Sequence, residues 1–168
     1  MYPFFDERSK EERFPGDRYL FKGPGIYFPR VEEKILSSDQ AVVIGPNTAL
    51  LLQASRDLVD ARGNERIAGK KWLERQQGAY TPGPYEVMIK IMQAKVLTET
   101  TALHLRAIKN YTDIYGKDRK AGEEWLVTLD MAEAHIVSHE EMDNGIVRST
   151  VLNSRQYCVV MNPVDKAG

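Results

Sequence analysis

One stretch of this chain is written out twice, and no other feature limits its fold so tightly. Thr48-Ala-Leu-Leu-Leu-Gln-Ala54 returns as Thr101-Ala-Leu-His-Leu-Arg-Ala107. Asp60-Ala-Arg-Gly63 returns as Asp113-Ile-Tyr-Gly116, and Ala68-Gly69-Lys-Lys-Trp72-Leu73 as Ala121-Gly122-Glu-Glu-Trp125-Leu126. Each matched pair lies 53 positions apart, with no gap from Gln40 to Ala79. A fixed period of this order is the signature of small supersecondary modules in series, none of which hides its apolar face alone.

The same offset reaches outward in both directions. Gly16, Tyr19, Leu20, Gly25, Tyr27 and Pro29 sit 53 positions before Gly69, Trp72, Leu73, Gly78, Tyr80 and Pro82. Gln156-Tyr-Cys-Val-Val160 falls where the strand ending at Ala107 would recur. The expected organisation is the end of one module (1–38), two whole ones (39–91 and 92–144) and the start of a fourth (145–168). Both ends then stop inside a module, so the chain reads as a piece of a longer array, the alternative being a complete short protein with degenerate caps.

Leu103, Leu105 and Ala107 alternate with His104 and Arg106, the period of a half-buried strand. Val42-Val-Ile44, Val87-Met-Ile-Lys-Ile91 and Val96-Leu97 are further short β-rich runs, and Asp-x-x-Gly supplies turns in which glycine takes positive φ. The expected class is all-β: small antiparallel sheets of four or five strands, about 53 residues per module, in a linear array. The recurring positions nominate a structural core of Tyr19, Leu50, Leu52, Gly63, Gly69, Trp72, Leu73, Leu103, Leu105, Gly116, Gly122, Trp125 and Leu126.

A formal charge of -1 gives no general attraction for nucleic acid or anionic lipid. No apolar run reaches membrane-spanning length, and the first thirteen residues lack the apolar core of a signal peptide. One cysteine, Cys158, excludes an internal disulfide and fits a reducing compartment.

Catalytic chemistry finds little footing. His135-x-x-x-His139-Glu-Glu141 mimics a zinc-hydrolase motif, but that motif needs a helix to put both imidazoles on one face. On a strand, residues four apart lie about 13 Å from each other, too far for one metal, so these histidines are expected to be polar surface residues. His104 is expected to face outward from its strand. Cys158, in an apolar run, is expected to be a small core residue. The acids near Gly63 and Gly116 lack the donor count of a calcium loop and read as ordinary turns. No catalytic residue, cofactor or metal ligand is nominated. Lys70-Lys71 and Glu123-Glu124 occupy equivalent sites with opposite sign, and are candidates for contacts between chains lying side by side.

Glu123-Glu-Trp-Leu-Val127, Thr101-Ala-Leu-His-Leu-Arg-Ala107, Gly23-Pro-Gly-Ile-Tyr-Phe-Pro-Arg30, Glu133-Ala-His135 and Tyr157-Cys-Val-Val-Met-Asn-Pro-Val164 together resemble the N-terminal repeats of the major vault protein family. Leu51 and Lys70-Lys71 depart from the family pattern, which has a polar or basic residue and acidic residues there. The resemblance implies a structural role in the cytoplasm or nucleus: the wall of a hollow ribonucleoprotein shell, built by homo-oligomeric, side-by-side packing. The family's cap helix, which drives its assembly, has no counterpart in this chain. The resemblance also implies an alternative, a docking platform for a vault-associated poly(ADP-ribose) polymerase. Neither reading calls for direct nucleic-acid or membrane contact.

Overall fold

A computed structural model describes residues 4–6, 11–31 and 33–161, and all their regular structure is β. The chain divides into two compact bodies, Met1–Gln93 and Ala94–Gly168. Among the described residues no helix is long and apolar enough to cross a membrane.

The first body holds β1 (Phe4–Asp6), β2 (Glu11–Arg13), β3 (Val42–Ile44), β4 (Thr48–Ala54), β5 (Leu58–Val59), β6 (Glu65–Arg66), β7 (Lys71–Glu74), β8 (Gly78–Tyr80) and β9 (Glu86–Gln93). β4 is the central strand of a three-stranded antiparallel sheet in the order β7-β4-β9. β3 pairs with β8, β5 with β6 and β1 with β2 as separate two-stranded ribbons. The single sheet of four or five strands expected from the sequence is therefore divided. Asn47, at φ 58, and the Gly45-Pro46 corner turn the chain between β3 and β4, while Gly78, at φ 124, turns it after β7.

The second body repeats the plan with β10 (Lys95–Val96), β11 (Thr101–Ala107), β12 (Tyr111–Thr112), β13 (Asp118–Arg119), β14 (Glu124–Val127), β15 (Ala134–His135) and β16 (Glu141–Arg148). Its sheet runs β14-β11-β16, with β10–β15 and β12–β13 as ribbons. Both sheets carry a register shift at the same point, between Leu51 and Leu52 in one and between His104 and Leu105 in the other. Each shift leaves one extra residue on the outer strand, which is a β-bulge. The third strands end at Gln93 and Arg148.

Strand pairing exposes a detail hidden from a gap-free comparison. Val42 faces Tyr80, whereas Lys95 faces His135; Ala54 faces Glu86, whereas Ala107 faces Glu141. The offset is thus 53 up to β14 and 55 from β15 onward. His135 occupies the place of Tyr80, not of Pro82.

Each body closes over its own apolar cluster. Ile44, Leu50, Leu52, Ala54 and Trp72 form the first, with Val42, Leu58 and Tyr80 packed against it. Leu97, Leu103, Leu105 and Val127 form the second, with Tyr115, Trp125 and Val137 against it. Alternate residues of a strand share a face, so Leu50 and Leu52, like Leu103 and Leu105, point inward together.

Candidate functional site

The Asp-x-x-Gly turn does more than reverse the chain. Asp60 Oδ1 accepts the backbone N–H groups of Arg62 (3.0 Å) and Asn64 (2.9 Å), and its Oδ2 accepts Arg66 Nε–H (2.9 Å). The Arg66 guanidinium then lies 4.7 Å from the centre of the Trp72 ring. In the second body Asp113 Oδ1 holds Tyr115 N and Lys117 N, each at 2.9 Å, and Oδ2 holds Arg119 Nε at 2.8 Å. Arg119 stacks 4.2 Å over Trp125. The arginine is both ion-paired and laid on an aromatic face, an arrangement that suits a planar, weakly hydrated cation. Burial acts to raise the Asp60 carboxyl, but the Asn64, Arg66 and Arg62 donors outweigh it and bring the pKa to about 2.

A second polar device recurs three times. Glu33 Oε2 accepts Tyr27 Oη–H (2.6 Å) and Arg30 N–H (2.8 Å). Glu86 Oε2 accepts Tyr80 Oη–H (2.6 Å) and Gly83 N–H (2.9 Å). Glu141 Oε2 accepts His135 Nε2–H (3.0 Å) and Ser138 N–H (2.7 Å). An aromatic donor at position i and a backbone N–H at i+3 thus meet a carboxylate at i+6. This latch fixes the start of β9 and of β16. Glu33 is also reached by Tyr19 Oη (2.7 Å), and Glu141 by Tyr111 Oη (2.5 Å). The backbone bond from Arg30 is the main reason that the Glu33 carboxyl lies below the usual range. At Glu141 burial pushes upward, yet the His135, Ser138 and Tyr111 donors win and hold it down. Burial and the adjoining carboxylates push the Tyr19, Tyr80 and Tyr111 phenols upward.

His135 corrects the expectation of a surface histidine, for it is 1% exposed. With Nε2–H assigned to Glu141, its Nδ1 accepts the Tyr115 hydroxyl at 2.9 Å. Both ring nitrogens are engaged, which leaves no lone pair for a metal. Among the described residues no group of three or more His, Cys, Asp or Glu is placed to hold a metal ion. His104 does lie on the outer face, 3.1 Å from Glu124. Cys158 is exposed rather than in a core.

The nominated core divides by strand face. Leu50, Leu52, Leu103, Leu105 and Trp72 are buried, while Tyr19, Leu73 and Trp125 are half-buried. Leu126 is 45% exposed, on the outer side opposite His104. It neighbours Trp125, and two adjacent strand residues cannot share one face. Gly63, Gly69, Gly116 and Gly122 all sit in exposed turns at positive φ. Of the four candidate contact residues, Lys70 and Lys71 are exposed, and Glu124 is exposed with His104 on its carboxylate. Glu123 is already engaged within its own body, accepting from Arg119 Nη1 (2.8 Å) and Lys120 N (3.0 Å). Reading one offset throughout hid the latch. Tyr/His-x5-Glu at 27, 80 and 135 was the signal that could have found it.

The long outer strands carry the remaining unusual feature. β9 leaves Val87, Met88, Ile89 and Ile91 half exposed, and β16 leaves Met142, Ile146 and Val147 so. Ile91 and Ile146 face Leu50 and Leu103 at matching registers. Each body thus exposes an apolar edge strand at the same register.

A family model described as the Major Vault Protein repeat domain matches residues 42–83 and 95–136. The chain is 46% identical over 164 residues to the major vault protein of Danio rerio, and 42% identical over 164 residues to those of Bos taurus and Homo sapiens. These alignments take in 98% of this chain but only 18–19% of each relative. The chain spans about a fifth of the length of the curated relatives it matches.

Proposed function

The chain belongs to the major vault protein family, and from that premise we propose that it is a structural wall segment, packing side by side with further copies in a cytoplasmic shell. The observation that supports this is the repeated apolar edge. β9 and β16 offer half-exposed aliphatic side chains at the same register in successive modules. The edge recurs once per module, so copies lying side by side meet the same kind of contact at each. Lys70, Lys71 and Glu124 set that register by charge, which governs specificity more than affinity. On this reading the module bounds 39–91 and 92–144 shift to 39–93 and 94–148, so that each module keeps its own third strand. The work of the latch and of the Asp–Arg–aromatic stack is to hold each sheet rigid enough to present its edge.

The test is to place this sequence in a full-length major vault protein in exchange for the matching segment, then image the particles by electron microscopy. Closed shells are expected from the exchange, and their loss is expected with Ile91→Lys and Ile146→Lys together. Normal shells from the double variant would overturn the reading.

A further inference from the structure

The bulge in each outer strand carries one residue with no partner across the ladder. In β9 it is Ile89, between Met88 opposite Leu52 and Lys90 opposite Leu51. In β16 it is Asn144, between Asp143 opposite Leu105 and Gly145 opposite His104. Only the second bulge sets an asparagine before a glycine, and no other asparagine in the chain is followed by one. Gly145 lies at φ 102, with no atom within 4 Å of where a Cβ would stand. Its N–H is donated to Asp143 Oδ1 at 2.9 Å, and Asp143 Oδ2 is held by Lys95 Nζ. Burial pushes the Asp143 carboxyl up, but the Lys95 and Gly145 donors outweigh it and keep it ionised. The Asn144 side chain is exposed and makes no hydrogen bond among the described residues. Those of Asn64, Asn110 and Asn153 are all engaged, on Asp60, Ala121 N–H and Arg155 N–H.

We propose that the bulge at Asn144-Gly145 is a site of spontaneous covalent modification, at which Asn144 deamidates through a cyclic imide in the folded chain. The Gly145 nitrogen attacks Asn144 Cγ, and the new C–N bond closes a five-membered ring. The Cγ–Nδ2 bond breaks, and the proton of the Gly145 amide passes by way of the Asp143 carboxylate to the departing ammonia. Water then adds to either carbonyl of the imide and opens it to aspartate or isoaspartate at position 144. Such an intramolecular attack depends on how closely nucleophile and carbonyl are held. Glycine has no Cβ to shield its nitrogen, and a carboxylate within hydrogen-bond reach of a proton is placed to accept it. The isoaspartate product adds a carbon to the main chain inside the bulge, together with a negative charge. Ile146 and Val147 then lose their places opposite Leu103 and Ala102. The first body has no such site, since Ile89 and Lys90 stand in the same positions. This chemistry is independent of the wall reading, and every group it uses belongs to the second body.

The test is to hold the folded 168-residue chain at mildly alkaline pH for several weeks and follow each asparagine peptide by mass spectrometry. Isoaspartate is counted separately, by methyl transfer from labelled S-adenosylmethionine with an isoaspartyl methyltransferase. Asn144 is expected to react several-fold faster than Asn153, which is also exposed and precedes a serine. Asn144→Gln keeps the amide but needs a larger ring, so that peptide should stay unmodified. Asp143→Ala removes the proton acceptor and should slow the reaction several-fold. Both positions lie outside the two apolar clusters, so tryptophan fluorescence should report both variants as folded. Hydrogen exchange at Ile146 and Val147 should rise several-fold in the aged parent and stay constant in aged Asn144→Gln. An Asn144 that reacts no faster than Asn153, an Asp143→Ala chain that reacts as fast as the parent, or equal exchange in the two aged chains would each overturn the proposal.

Discussion

Replacing Glu141 by alanine should come close to unfolding the second body. Its carboxylate meets three donors: His135 Nε2 and Ser138 N at Oε2, and Tyr111 Oη at Oε1. His135 cannot reach water in its present position, so orphaning its N–H costs about 2–3 kcal/mol. Ser138 and Tyr111 are half-buried and recover part of their hydration, at about 1 kcal/mol each. The sum, about 4–5 kcal/mol, is a large part of the stability of a small domain. Glu141→Gln separates the loss of charge from the loss of acceptors. Its amide oxygen can serve His135 and Ser138 while its NH2 turns toward the Tyr111 hydroxyl, which can accept, so about 1–2 kcal/mol is expected. Hydrogen exchange of the β11 amides, read by mass spectrometry, reports this body separately from β4. If Glu141→Ala lowers β11 protection by less than about 1 kcal/mol, the latch is not what holds β16 in place.

Acid should weaken the first body through Asp60. Its pKa is lowered from 3.8 to about 2, so the stabilisation is complete above the unfolded value and is lost as pH falls through about 2. The expected loss is about 2 kcal/mol, and Asp60→Asn should flatten the curve when urea melts are repeated across that window. Trp72→Ala should cost about 3–5 kcal/mol and Trp125→Ala, half-buried, about 2–3 by chemical denaturation. Equal losses would contradict the difference in burial. Gly63→Ala and Gly116→Ala meet no atom within 4 Å of the new Cβ, so only their φ of +83° and +77° is penalised. A melt should show about 1 kcal/mol for each.

The repeat, the all-β class and the inward-facing leucines were legible because a gap-free offset and a period of two both survive in the letters. Four things were missed. A two-residue insertion before β15 gives no sign when one offset is carried through, and it set His135 against Pro82 instead of Tyr80. Burial of His135 was hidden because β15 is two residues long, too short to show a period, and its partners Tyr115 and Glu141 come from two other places in the chain. Leu126 was misplaced for a reason the sequence did contain: it follows Trp125, and neighbours on a strand face opposite ways. The divided sheets depend on turn geometry at Asn47 and Gly78, where composition names a bend without giving its direction.

The position of the outer strand has a bearing on synthesis. β4 is made first, but β9, which completes its sheet, begins only at Glu86. A nascent module therefore waits for more than thirty further residues before its middle strand gains its second neighbour. During that interval the Asp60 turn, whose contacts span at most six residues, can already close. Each module should thus emerge from the ribosome with its ribbon formed and its sheet open, and should be completed by the last strand to leave the tunnel.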